Sequence, residues 1–231
     1  MIWTQLVDGL LPMQCRFCGV AGDTPVCADC RRELPWNRPA CPGCAIPTPL
    51  PAPCPACQRK PRAFDAAFAA FRYAVPAAQA VLGLKYAARF AEARWLAEAM
   101  AGALRERDLP LPELLLPVPL HRGRLFRRGH NQALELARRL GAELGIAVDA
   151  GAARRLRATP DQIGQSAAQR RRNLRGAFAV GTQVAGRHVA LLDDVMTTGA
   201  TLEELARACK AAGAARVEAW AVARQPLKGA Q

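Results

Sequence analysis

Residues 189–202 read VALLDDVMTTGATL, and this stretch decides the fold of the chain. Its first four residues, 189–192, are apolar and predict a buried strand of a parallel sheet. Two carboxylates, Asp193 and Asp194, stand where that strand is expected to end, and TTGAT at 197–201 leads into a pattern of helical spacing. Strand, polar turn and helix in this order place a ligand site outside the carboxyl end of the strand.

The residue types in this turn suit a phosphorylated sugar. Gly199 lets a ligand approach the backbone closely, and the N–H groups that open the following helix favour an anion such as phosphate. Asp193 and Asp194 accept hydrogen bonds, which suits sugar hydroxyls or a metal ion. The alternative is that one threonine caps the helix and the acidic residues form a solvated turn before it. That alternative does not explain why two adjacent carboxylates follow a buried strand. The stretch therefore predicts a ribose 5-phosphate site.

The same stretch resembles the phosphoribosyl pyrophosphate (PRPP) motif of type I phosphoribosyltransferases. The resemblance implies that Asp193 and Asp194 contact the ribose hydroxyls as the catalytic residues, and that Mg²⁺ binds together with PRPP. It assigns PRPP binding to the whole run from the acidic pair to the end of the loop: Asp193, Asp194, Val195, Met196, Thr197, Thr198, Gly199, Ala200 and Thr201.

Eight of the nine cysteines form four C-x-x-C pairs between residues 15 and 57. Each pair places two thiolates on one tight turn, and two such turns complete a tetrahedral zinc site with no open position for catalysis. Disulfides are the alternative, but they are rare in the cytosol, and no βα pattern of thioredoxin type surrounds the pairs. The simplest pairing is sequential, with an interleaved pairing left open, and it predicts two structural Zn²⁺ sites: Cys15, Cys18, Cys27 and Cys30, then Cys41, Cys44, Cys54 and Cys57. The ninth, Cys209, lies on the apolar face of a predicted helix and reads as a buried core thiol.

Composition and charge narrow the class of protein. The chain has 231 residues, half of them apolar, and a net charge of +13, which favours anionic small molecules or nucleic acid as partners. An arginine- and alanine-rich chain can also reflect a GC-rich genome. The start of the chain, MIWTQLVDGLLP, predicts a short helix and lacks a basic leader, and no apolar run reaches the roughly 18 residues of a membrane span. We therefore expect a cytoplasmic location and no membrane span.

Strand and helix patterns alternate through the second part of the chain. Strands are expected at 114–118, 153–156, 189–193 and 217–223, with one or two more within 64–75 and helices at 76–86, 87–107 and from Asn131 onward. Alternation of this kind predicts an α/β fold, a mostly parallel sheet of the type I phosphoribosyltransferase kind with flanking helices. We expect residues 61–231 to form this domain and residues 1–60 to form a small Cys-rich zinc-binding module.

Basic residues supply candidates for the diphosphate and for a lid over the substrate. Lys85, near a helix end, and Arg122, Arg127 and Arg128, after the strand at 114–118, could hold pyrophosphate. The alternatives are a cation at a helix C-terminus and a solvated basic face. The polar segment 157–175 predicts a mobile lid containing Thr159, Gln162 and Arg171, with a disordered insertion as the alternative.

Taken together, these motifs resemble the ComF family of phosphoribosyltransferase-like proteins, of the ComFC or GntX type. The matching pieces are the C-x-x-C series, FDAAFAAFRY, LGLKY, LLPVPLHRGRLFRRGHNQ, the T-x-x-Q segment, QRRRNLRGAF and LLDDVMTTGATL. His130 departs from the family, which usually has phenylalanine there. The resemblance implies a role in DNA uptake or natural competence or, for some members, in gluconate use. It also implies PRPP as ligand, with single-stranded DNA or a competence helicase as further partners. The predicted function is phosphoribosyl transfer to an unspecified acceptor; the alternatives are a non-catalytic PRPP sensor and a single-stranded DNA-binding accessory factor.

Overall fold

The computed structural model describes residues 13–107, 109–157 and 172–226. The chain separates into two compact units, Met1–Leu34 and Pro35–Gln231. The boundary at Leu34 falls inside the Cys-rich segment, so the second group of four cysteines belongs to the larger unit. The division at residue 60 stays a prediction. The predicted helix at the start of the chain and the predicted lid residues Thr159, Gln162 and Arg171 lie outside the described residues.

The smaller unit is built around its cysteines. Strands β1 (Met13–Gln14) and β2 (Ala21–Gly22) pair antiparallel, and helix α1 (Ala28–Arg32) follows. Val26 and Leu34 are its buried aliphatic side chains among the described residues. Two buried aliphatic side chains make a small core for the described part of this unit, which fits a role for a metal ion in holding it together.

A five-stranded parallel sheet forms the centre of the larger unit. Its strand order is β3, β9, β8, β4, β5. The strands are β3 (Ala66–Arg72), β4 (Leu114–Pro117), β5 (Ala147–Val148), β8 (His188–Met196) and β9 (Arg216–Arg224). The inner strands β4, β8 and β9 are almost entirely buried and mainly apolar, as expected for a sheet covered on both faces. Their charged or titratable residues are His188, Asp193, Asp194, Arg216, Glu218 and Arg224.

Helices cover both faces of this sheet. The described helices of this unit are α2 (Pro55–Arg59), α3 (Ala77–Tyr86), α4 (Phe90–Arg105), α5 (Arg122–Arg128), α6 (Gln132–Leu144) and α7 (Ala200–Ala211), with a 3-10 turn at Thr182–Val184. Of these, α3, α4, α6 and α7 pack against the sheet. Leu191 of β8 packs in one cluster with Leu202 and Leu205 of α7. The opposite face of β8 carries Asp194, which contacts Gln132 of α6. Alternation along the strand therefore separates an α7 face from an α6 face.

Local signals place the helix ends. The Asn131 side chain accepts a hydrogen bond from the Ala133 N–H, which confirms its predicted role as a helix cap. The same helix ends at Gly145, whose φ of 69° is the left-handed conformation that glycine adopts without strain. Cys209 is fully buried on the apolar face of α7, as predicted. No helix within the described residues combines the length and apolar character that a membrane crossing requires.

One predicted sheet strand is wrong. Residues 153–156 were expected in the central sheet, but β6 (Ala153–Arg155) pairs antiparallel with β7 (Phe178–Val180) in a separate two-stranded ribbon. Two of its three residues are arginines, one exposed and one half-buried, and the ribbon leaves their charges nearer to solvent than an inner strand of the sheet would. The sheet position beside β4 belongs instead to the two-residue strand β5, which was not predicted. The strand expected within 64–75 is present as β3, where Phe71 and three alanines are buried.

Candidate functional site

The loop after β8 closes around a glycine. The strand continues to Met196, so the acidic pair lies inside it rather than beyond its end, which corrects the predicted boundary. Gly199 has a φ of 77°, and α7 begins at the next residue. The hydroxyl of Thr198 accepts a hydrogen bond from the Ala200 N–H at 3.3 Å. Gly199 is the N-cap residue, and the Thr198 hydroxyl pairs with the first N–H of the helix, while Thr197 and Thr201 border the cavity described next.

A cavity of about 800 Å³ opens at the carboxyl ends of the central strands. Its wall brings together most of the predicted site residues: Lys85, Arg127, Arg128, Asp193, Asp194, Val195, Met196, Thr197, Gly199, Ala200 and Thr201. Arg122, predicted with them, is exposed and lies outside this wall. The reason is that its segment folds as α5 rather than as a loop, so successive arginines point in different directions.

Asp194 is the centre of a buried polar network. It is 3% exposed, and one of its oxygens contacts the Lys85 ammonium at 3.0 Å and the Gln132 amide at 3.3 Å. Its other oxygen accepts the Val195 N–H. Burial alone would lower the pKa of Lys85, but the Asp194 carboxylate raises it. The amide oxygen of Gln132 in turn accepts a hydrogen bond from Arg128 at 2.7 Å, so the network reaches the basic helix.

Asp193 is in a different position. Because neighbouring residues of a strand face opposite sides, its side chain leaves β8 away from Lys85 and Gln132. It is more exposed than Asp194, and one of its oxygens accepts the Asp194 N–H at 2.9 Å. Burial and the charge of Asp194 raise the pKa of Asp193 to about 7. The acidic pair therefore offers one carboxylate held by the protein and one that can gain or lose a proton near neutral pH.

Several residues of the cavity wall were not among the sequence candidates. Arg124 lies on α5, and Arg155 comes from β6, where burial and the nearby charge of Arg124 lower its pKa. Tyr73, Tyr86, His130, Gln132 and Gln225 are further polar residues of the lining. Arg124 and Gln132 stand in the motif LHRGRLFRRGHNQ, so helical spacing from Arg128 could have found them. Arg155 carries no local signal, because only the fold brings its ribbon to the cavity.

His130 braces the end of α3 against the start of α6. Its two ring nitrogens lie 2.7 Å from the Leu84 carbonyl and 3.1 Å from the Arg128 carbonyl, and its ring meets the edge of Phe90. These contacts fix Lys85, the neighbour of Leu84, relative to the basic helix. An imidazole thus takes the position where the resemblance expects the phenyl ring of phenylalanine.

The eight paired cysteines form two four-sulfur clusters. The grouping is the sequential one, residues 15, 18, 27 and 30 and residues 41, 44, 54 and 57, with all ligand atoms of a cluster within 4.8 Å of one another. The Cys18–Cys27 and Cys44–Cys54 sulfur distances are both 3.7 Å. A tetrahedral site with Zn–S bonds of about 2.3 Å separates its sulfurs by about 3.8 Å, so both clusters fit zinc.

Backbone groups prepare these sulfurs for a metal. The Cys27 N–H points at the Cys15 sulfur and the Cys54 N–H at the Cys41 sulfur. Backbone hydrogen bonds, foremost from Cys18, lower the pKa of Cys15 to about 6, which favours the thiolate that zinc binds.

The parallel sheet with its cavity defines a phosphoribosyltransferase-type domain, and the two four-cysteine clusters define a double zinc ribbon. Residues 126–230 match the family described as "Phosphoribosyl transferase domain", and residues 6–60 match "Double zinc ribbon domain". The chain belongs to the ComF family of phosphoribosyltransferase-like proteins.

Curated relatives span almost its whole length. "DNA utilization protein YhgH" of Salmonella typhi is 37% identical over 86% of this chain and 90% of its own. "Competence protein F" of Haemophilus influenzae is 32% identical over 87% of this chain and 85% of its own. Among solved structures, the glutamine PRPP amidotransferase of B. subtilis matches 57% of this chain and 26% of its own at 18% identity, with a TM-score of 0.36.

Proposed function

We propose that this protein binds PRPP together with Mg²⁺ in the cavity and transfers the phosphoribosyl group to an acceptor. The observation that carries the proposal is the composition of one wall: a phosphate loop, an acidic pair and a group of arginines border the same 800 Å³ space. PRPP carries a phosphate, a diol and a diphosphate at separate positions, and this wall offers a complementary group for each.

The 5-phosphate is assigned to the loop at 197–201. The N-terminal turn of the twelve-residue helix α7 carries partial positive charge that favours such an anion, and Gly199 leaves the approach open. The diphosphate is assigned to the basic side of the cavity, where Arg124, Arg127 and Arg128 lie on one helix. Charge-assisted hydrogen bonds from guanidinium groups suit such an anion.

The ribose is assigned to Asp193. Its carboxylate can accept hydrogen bonds from the sugar hydroxyls and can stabilise the positive charge that develops at C1 as pyrophosphate leaves. It is also a hard oxygen donor of the kind Mg²⁺ takes. The ion would be held by this carboxylate and by oxygens of the substrate, and it supplies charge neutralisation for the diphosphate when bound.

Isothermal titration with PRPP and Mg²⁺ tests the binding step. Arg127→Ala and Arg122→Ala form a matched pair, because both arginines are exposed on α5 but only Arg127 borders the cavity. We expect Arg127→Ala to weaken PRPP about tenfold and Arg122→Ala to leave its affinity within about twofold of the wild type. Equal affinities for the two variants, or no binding by the wild type, would contradict the proposal.

A pyrophosphate-release screen across nucleobases and small amines tests the transfer step. Pyrophosphate release that depends on the acceptor would support transferase activity. PRPP binding without release under any of these conditions would identify a PRPP sensor instead.

A second function, binding of single-stranded nucleic acid, is favoured by one surface feature. Phe126 of α5 is 91% exposed and stands between Leu125 and Arg127 on a helix with four arginines. A solvated aromatic ring among guanidinium groups can stack on a base while the arginines meet phosphates. Fluorescence anisotropy with an oligothymidylate should show weaker binding for Phe126→Ala than for the wild type, and the affinity of every variant should fall as salt rises. Leu109→Ala, which truncates an exposed apolar residue outside α5, should bind like the wild type. Equal binding by the two variants would exclude α5 as the surface.

A further inference from the structure

A buried arginine connects the second four-cysteine cluster to the phosphate loop. Arg224 is the last residue of β9 and is 2% exposed. Its Nε donates to the carbonyl of Cys44 at 2.9 Å. One of its terminal nitrogens donates to the carbonyls of Met196, at 2.9 Å, and of Thr197. The Arg224 side chain therefore joins the backbone of Cys44, a candidate zinc ligand, to the carbonyls of Met196 and Thr197 at the start of the loop.

These contacts orient the loop as well as tether it. In a trans peptide the C=O and the next N–H point in opposite directions. When Arg224 holds the carbonyls of Met196 and Thr197, the N–H groups of Thr197 and Thr198 are directed away from it. Those N–H groups belong to the segment assigned to the 5-phosphate.

A second arginine connects the same cluster to the helix that follows the loop. Arg62 contacts the Cys57 sulfur. It also donates to Glu203, in the first turn of α7, at 3.1 Å. Glu203 is itself buried and accepts the Ala63 N–H at 3.2 Å. The loop is therefore tied to the cluster on both sides, before it through Arg224 and after it through Arg62.

Geometry explains why both ties depend on the metal. The Cys44 carbonyl that accepts from Arg224 belongs to a candidate zinc ligand, and Arg62 lies beside a second one, Cys57. Zinc joins the two C-x-x-C turns and so fixes where these two residues lie. Without the metal the turns are no longer held together, and Arg224 and Arg62 lose their fixed partners on the cluster side.

We propose that zinc in the Cys41, Cys44, Cys54 and Cys57 site holds the phosphate loop in its binding conformation, with Arg224 and Arg62 as positioning residues. The inference rests on the proposed function, because it concerns the affinity of that loop for the 5-phosphate. Zinc loss or thiol oxidation at this site would lower phosphate affinity without any change to a residue that touches the ligand.

The test compares the two clusters in the full-length protein. Cys44→Ser and Cys18→Ser each remove one ligand from one cluster, and atomic emission measures the zinc lost. Titration with ribose 5-phosphate and with PRPP should show affinity about tenfold or more lower for Cys44→Ser and within about twofold of the wild type for Cys18→Ser. Binding by the wild type together with equal affinities for the two variants would overturn the inference and leave the proposed function standing. No binding by the wild type would overturn both.

Substitution of Arg224 separates positioning from general stability. Arg224→Ala should weaken ribose 5-phosphate, and millimolar guanidinium should restore part of the affinity, because the ion can occupy the vacated site. Arg216→Ala, at the other end of the same strand, should keep wild-type affinity. An effect of Arg224→Ala that guanidinium does not rescue would overturn the positioning role.

Hydrogen exchange on the wild type provides a measurement that does not depend on a variant folding. Chelation of zinc should increase exchange at residues 197–201 while the amides of β4 stay protected. Equal loss of protection in both segments would mean general unfolding and would overturn the inference.

Discussion

Replacing Lys85 by methionine should destabilise the larger unit by a predictable amount. The substitution keeps the length of the side chain but removes the ammonium that lies 3.0 Å from Asp194. The Asp194 side chain is 5% exposed, so its carboxylate would keep only the Gln132 amide and the Val195 N–H as partners. Breaking a buried ion pair from one side costs about 3–5 kcal/mol, and because a quarter of the Lys85 side chain is exposed we expect about 3 kcal/mol.

Urea unfolding followed by tryptophan fluorescence measures this loss, because Trp95 and Trp220 are both buried in the larger unit. Combining Lys85→Met with Asp194→Asn removes the uncompensated charge and should recover about half of the lost stability or more. Arg138→Met is the control: its pair with Glu135 is exposed, so we expect a change within about 0.5 kcal/mol. A loss below about 1 kcal/mol for Lys85→Met, or a double variant no more stable than the single one, would refute the reasoning.

Three further predictions concern glycines and pH. Gly199→Ala places a side chain at a φ of 77°, which costs about 1–2 kcal/mol. We expect this cost to appear as a lower free energy of unfolding, a lower affinity for ribose 5-phosphate, or both. Unchanged values of both quantities would contradict the prediction. Gly141→Ala puts a Cβ 2.5 Å from the Val148 side chain and 2.7 Å from a backbone carbonyl, so urea unfolding should show a loss of about 1–3 kcal/mol. Because the pKa of Asp193 is raised to about 7, a proton competes with Mg²⁺ there; Mg²⁺-dependent PRPP affinity should rise from pH 6 to pH 8, and Asp193→Asn should flatten the profile.

The features that sequence analysis predicted correctly are encoded by neighbouring residues. The strand, turn and helix of 189–202 follow one another without interruption, so periodicity and one glycine describe them. The same holds for the Asn131 cap and for each C-x-x-C turn. Sequential grouping of the cysteines was the simplest choice, and the two clusters confirm it because short segments join the paired turns.

The features that were missed or misplaced depend on segments that are far apart. Arg224 and Cys44 are separated by 180 residues, and no periodic pattern in the sequence indicates that they are in contact. At β6 the sequence offers a short segment that can form a strand, but no local pattern indicates that it pairs with β7, where Ala153 lies opposite Val180. Arg122 and Arg127 look equivalent in sequence, and only the helical direction of α5 sends one of them to the cavity.

The two aspartates of the acidic pair should respond differently to the same substitution, although the resemblance treats them alike. Asp194 could contact a ribose hydroxyl only by giving up Lys85, Gln132 or the Val195 N–H. Substitution of Asp194 should therefore lower the stability of the fold first. Asp193 has a pKa raised from 3.8 to about 7, so in the folded protein its ionisation is unfavourable, and stability falls as pH rises through that range. At pH 8, Asp193→Asn should therefore raise the free energy of unfolding while lowering PRPP affinity, whereas Asp194→Asn should lower the free energy of unfolding. Urea unfolding and titration on the same two variants decide the point, and parallel changes in both quantities would mean that the carboxylates share one role.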